Sequence, residues 1–136
     1  MLQYLLYNRQ AMYTQALTHF HQSAKLQPVS SASWAYVALL KQETNQYDTV
    51  FWLALENAKK AAPWNAYVEG ILIKTRLSAW FKLSQNMRLK LINDLELAIK
   101  QQPRKIYQLI RETRRQWAIC NLEVLPQGLE KFCSGK

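Results

Sequence analysis

The sequence predicts an all-α domain of antiparallel helical hairpins stacked side by side, and three observations predict it. Gly is 3 and Pro is 4 in 136 residues, too few for the many tight turns of an all-β fold. Apolar residues recur at helical spacing through most of the chain. Pro28, Pro63 and Pro103 each close an apolar-periodic stretch, with 35 residues separating the first two and 40 the last two. That is the interval of a two-helix repeat with one lengthened unit. About six or seven helices are expected, with an extra one at the C-terminal end. Residues 1–122 form the helical domain and 123–136 a tail packed on the last helix.

The elements follow in order. Leu2–Gln27 reads as helix, bent near Asn8–Gln10, with Tyr13, Ala16, Leu17, Phe20 and Ala24 at helical spacing. Pro28 ends it, because proline cannot extend a helix and disfavours helix just before itself. Ser30, Ser31 and Ser33 offer caps for the next helix, Trp34–Thr44, which sets Trp34, Val37, Ala38 and Lys41 along one side. Asn45-Gln46 is the turn. Tyr47–Ala62 is the partner helix, with Val50, Phe51, Ala54, Leu55 and Ala58 facing inward. The small residues Ala38, Ala54 and Ala58 allow the pair to approach closely. Trp64–Leu83 carries Trp64, Tyr67, Ile71, Leu72, Leu77, Trp80 and Phe81; Ser84–Asn86 breaks it. Met87–Gln102 carries Leu91, Leu95, Ala98 and Ile99 and stops at Pro103. Arg104–Leu122 is expected as the last long helix, before Pro126 and Gly128 interrupt the chain.

Two copies of one pattern lie within Tyr13–Pro63. Tyr13, Ala16, Phe20 and Pro28, then Trp34, Ala38, Tyr47 and Pro63, resemble signature positions of the tetratricopeptide repeat. The first copy resembles the second helix of a unit, the second a whole unit. Ser23 and Asn57 depart from the alanines of the pattern, Ala38 replaces its glycine, and Pro63 comes one residue late. The resemblance covers Tyr13–Pro63, thins out to Pro103 and does not reach beyond. It implies an α-solenoid, and a first helix that would precede Met1. A narrower resemblance is to short tetratricopeptide-like accessory proteins of bacterial exopolysaccharide loci, through Trp117, Cys120 and Cys133. It implies a periplasmic helper in polysaccharide assembly or export.

Charge is uneven. The net charge is +9; residues 1–63 hold five Lys/Arg against three Asp/Glu, and residues 64–136 thirteen against six. A basic half suits an acidic partner, a nucleic acid, an anionic polymer or a membrane surface, or simply keeps the protein soluble. No run of apolar residues is long enough for a membrane span, and Met1–Asn8 lacks the features of a signal peptide. Lys100–Arg115 holds six basic residues and one acid. On a continuous helix Arg104, Arg111 and Arg115 point one way, with Lys105 nearby, and Ile106, Leu109, Ile110, Trp117 and Cys120 take the opposite side. The arginines can serve as an anion-binding strip, since each guanidinium presents paired planar donors, or as an ordinary solvated face.

Cys120 and Cys133 are the only cysteines. With His19 and His21 about 100 residues away they make no zinc site. Buried thiols and a disulfide stapling the tail to the last helix both remain open; the even count and the Pro and Gly between them favour the bond. A bond would point to an oxidising, exported setting. Trp64, Tyr67 and Trp80 are candidate groove aromatics, with core packing as the plainer reading. His19 and His21 project to different sides of a helix, and Asp94 and Glu96 likewise diverge. No phosphate-cradling loop, metalloprotease helix or nucleophile elbow is found. No catalytic residue, metal or cofactor is expected. The expected function is a non-catalytic protein-binding or scaffold module for an acidic segment, and the alternative is a cytoplasmic nucleic-acid binder using Arg104–Arg115.

Overall fold

The structure is a computed structural model and describes residues 14–16, 18, 19, 22, 31–61 and 65–135. All described elements are helices, with no strand among the described residues. The expected all-α class is therefore the observed one. The expected helix Leu2–Gln27 lies mostly outside the described residues, as do Tyr13, Phe20, His21, Pro28, Pro63 and Trp64.

Three of the helices open where a short polar side chain takes up a first-turn amide. We number them α1 (Ser31–Glu43), α2 (Thr49–Ala61), α3 (Ala66–Ser78), α4 (Gln85–Gln101), α5 (Pro103–Glu112), α6 (Gln116–Cys120) and α7 (Glu130–Ser134), with a 3-10 turn at Trp80–Lys82. Asp48 Oδ1 accepts the Phe51 N–H at 3.0 Å, Asn65 Oδ1 the Val68 N–H at 3.1 Å and Ser84 Oγ the Met87 N–H at 3.2 Å. Pro103 both ends α4 and begins α5, where its missing N–H costs nothing.

The chain divides into two compact units, residues 1–72 and 73–136. In the first, α1 and α2 form a hairpin across the turn at Thr44–Asp48, where Asn45 takes φ 59°. Ala35, Ala38, Ala54 and Ala58 are fully buried, so the two backbones approach closely. Val68 and Leu72 from the first half of α3 complete a cluster with Ala35 and Ala58. Of the expected inward residues, Val37, Ala38, Phe51, Ala54 and Ala58 are buried, while Trp34, Val50 and Leu55 are half-buried. Phe51 meets Tyr47 edge-on at 5.2 Å and Trp52 at 4.7 Å. Lys41 is also buried; its ammonium bonds Asp48 at 2.6 Å and Gln46 at 3.1 Å, clasping the turn. Burial alone would raise the Asp48 carboxyl, but the Lys41 ammonium and the Phe51 N–H hold it below its ordinary value. Lys59 pairs with Glu69 and joins α2 to α3.

In the second unit α4 packs on α5, burying Leu91, Leu95, Ile99, Ile106 and Ile110. The C-terminal segment completes this core through Leu129 and Phe132. Gly128 lets it approach: its φ is +95°, and a Cβ there would sit 2.7 Å from Ile99 Cγ2. The Tyr107 hydroxyl donates to the Gly128 carbonyl at 2.7 Å. Residues 123–136 thus include a short helix, α7, packed on α5.

Two sequence expectations need correction. Trp64–Leu83 is not one helix: α3 ends at Ser78 and the 3-10 turn follows, with the Leu83 N–H bonding Trp80 O at 3.2 Å. Arg104–Leu122 is not one helix either. It stops at Glu112, Arg114 turns to φ 59°, and α6 restarts at Gln116. The helix end is closed by the Arg115 N–H bonding Ile110 O and the Arg114 N–H bonding Arg111 O, both at 3.0 Å, around the left-handed Arg114.

Candidate functional site

The break after Glu112 disperses the expected arginine strip. Arg104 and Lys105 are exposed in the first turn of α5. Arg111 sits over the Phe132 ring, 5.0 Å from its centroid. Arg115 lies beyond the helix end and cannot share their face. Its Nε donates to Leu77 O at 2.8 Å and its Nη2 to Ser78 O at 2.9 Å. The same guanidinium lies 4.9 Å from the Phe81 ring centroid. Arg115 therefore answers the unpaired carbonyls at the end of α3. Arg88 donates to Trp80 O at 3.0 Å, a carbonyl that also accepts the Leu83 N–H, and its guanidinium lies over the Trp80 ring.

Of the three candidate groove aromatics, Trp64 lies outside the described residues. Trp80 is only 3% exposed and belongs to the core of its unit. Tyr67 is exposed, and its ring meets Tyr36 edge-on at 6.4 Å with the two hydroxyls hydrogen-bonded. Trp117, expected on the buried side, is 77% exposed instead. The break at Thr113–Arg115 resets the helical phase, so α6 buries Ile119 and turns Trp117 outward. Only a signal for that break could have revealed it, and Thr-Arg-Arg carries none by composition.

Cys120 and Cys133 are disulfide-bonded, with Cα atoms 5.5 Å apart. The bond joins α6 to α7, so Trp117 stands one turn from a covalent staple. Phe132, beside Cys133, stacks on Tyr107 at 5.0 Å.

The charge pattern of the second unit is one-signed over a long stretch. Every exposed charged side chain from residue 73 to residue 111 is a cation: Lys82, Lys90, Lys100, Arg104, Lys105 and Arg111. The two acids there are half-buried, and Asp94 pairs with Arg76 at 2.9 Å. His19 is exposed, and no group of three or more His, Cys, Asp or Glu among the described residues is placed to hold a metal ion. No helix among them is long and apolar enough to cross a membrane. Comparison with protein-family models, with curated proteins and with solved structures finds no match to this chain.

Proposed function

We propose that this chain is a non-catalytic binding module of tetratricopeptide-like type, acting in an oxidising compartment on an acidic protein or peptide segment. Trp117 carries the reading. An indole 77% exposed, on a short helix stapled by Cys120–Cys133, is a preorganised anchor of the kind that dominates interface energetics. Arg104, Lys105 and Arg111 supply exposed positive charge in the same unit, which favours an acidic partner. The disulfide supports an exported, periplasmic setting. Within that setting the reading extends to an accessory role in bacterial polysaccharide assembly or export.

The test is photo-crosslinking in native cells with Trp117→benzoylphenylalanine. The expected result is a discrete protein adduct that weakens on adding Arg104→Glu and Lys105→Glu. No adduct, or one unchanged by those reversals, overturns the reading. The nucleic-acid alternative rests on the same cations and requires binding that falls steeply with salt. Intact mass after alkylation of protein from its own compartment checks the disulfide; two alkylated thiols would remove the export argument.

A further inference from the structure

Helix α4 has two apolar faces. One carries Leu91, Leu95 and Ile99 and is buried in the second unit. The other is turned outward: Leu89 is 54% and Leu97 46% exposed. At about 100° per residue, Leu89, Lys90, Asn93, Leu97 and Lys100 fall within a sector about 100° wide. The two leucines stand two turns apart, about 12 Å along the axis. Lys90 and Lys100 lie in the same sector, both exposed. Beyond Gln102 the chain continues directly into Arg104 and Lys105, also exposed. No exposed carboxylate interrupts this face, because none occurs between residues 73 and 111.

The geometry points to a second binding surface: the outer face of α4 docks the protein peripherally on an anionic lipid bilayer. Leucines set among exposed lysines, with the two acids of the helix, Asp94 and Glu96, half-buried at the edges of the face, match the depth profile of a bilayer surface. The side chains of Leu89 and Leu97 enter the acyl boundary. Lys90 and Lys100 lay their methylenes along it and reach the headgroup phosphates with their ammonium groups. Aliphatic side chains give no stacking platform for bases, which sets this face apart from a nucleic-acid groove. A second copy of this chain would bring like charge against like, since the net charge is +9. The surface is built from residues other than Trp117, so it stands or falls without the reading given above.

Sedimentation of the full chain with vesicles tests it. Phosphatidylglycerol-rich vesicles at low salt should pellet the protein, and pure phosphatidylcholine vesicles should not. Binding should fade at 1 M salt, where the screening length is about 3 Å. Lys90→Glu with Lys100→Glu should weaken it on the order of tenfold or more. Leu89→Asn with Leu97→Asn should weaken it with charge unchanged. Lys60→Glu, a reversal in the first unit whose charge change equals that of Lys90→Glu alone, should leave it intact where Lys90→Glu alone weakens it, and Trp117→Ala should also leave it intact. All these side chains are exposed, so far-UV circular dichroism should be unaltered. No pelleting with anionic vesicles, or equal loss in the Lys60 control, overturns the proposal. So does a face that captures poly-glutamate but not vesicles, which would assign it to an acidic protein segment.

Discussion

The two units of this protein are held together by different means. The hairpin of α1 and α2 depends on small side chains: Ala35, Ala38, Ala54 and Ala58 are fully buried, and the backbones close over them around Phe51. The one charged residue buried there among the described residues, Lys41, is answered within seven residues by Asp48. The second unit relies on partners distant in sequence. Arg115 reaches carbonyls 38 and 37 residues away, Tyr107 a carbonyl 21 away, and Cys120 a disulfide partner 13 away. Local packing can be read from residue spacing. Long-range capping cannot, because the donor carries no mark of the acceptor it will find.

The sharpest way to break this contrast is to damage each unit's own device and ask which suffers. Phe51→Ala empties the centre of the hairpin and should cost about 3–5 kcal/mol. Urea unfolding followed by far-UV circular dichroism measures it; a cost near zero would mean that the alanine contacts alone hold the pair. Cys133→Ser removes the staple and should cost about 3 kcal/mol, the value for a loop of this length. Its effect should concentrate in the second unit, with proteolysis appearing first after Cys120. Cleavage starting in α1 or α2 would contradict the division.

Arg115→Ala should cost about 2 kcal/mol, since it strips charge-assisted bonds from two carbonyls at the end of α3. Arg115→Lys should not restore them, because one ammonium cannot reproduce a two-pronged guanidinium. Thermal melting of both variants decides this. A binding role for Arg115 would instead leave the melting temperature unchanged. The smallest effect belongs to the clasp on the α1–α2 turn. The folded-state pKa of Asp48 lies below its ordinary value, so its contribution is complete above about pH 4 and is lost as pH falls through the folded value. The carboxylate is half exposed, so the contribution amounts to a few tenths of a kcal/mol after screening. Asp48→Asn should therefore melt slightly below wild type at pH 7, with the difference shrinking towards pH 3.

Much of the first unit was legible in the sequence. Val37, Ala38, Phe51, Ala54 and Ala58 follow one helical period, and Asn45 suits the left-handed turn it occupies. Less of the candidate site was legible. Arg104, Arg111 and Arg115 share a face only if the helix runs on, and it ends at Glu112. That single break moved Arg115 onto α3 and turned Trp117 outward. The caps at Asp48 and Asn65 were readable in principle, yet the prolines and serines nearby were the louder signals. The pairing of Cys120 with Cys133 was one of two readings the residues allowed; proximity in space chose between them.

The sequence by itself determined that this chain folds as helices, where α1, α2 and α4 run, and that positive charge collects in the later half. Each follows from period, composition or a count, which depend on neighbours a turn or two away. The tertiary structure alone decided which arginines cap carbonyls and which stay exposed, that Trp117 meets solvent while Trp80 does not, and that α4 shows leucine on both sides. Those outcomes depend on the chance meeting of groups far apart in the chain, where a hydrogen bond or a van der Waals contact becomes available only after the fold exists.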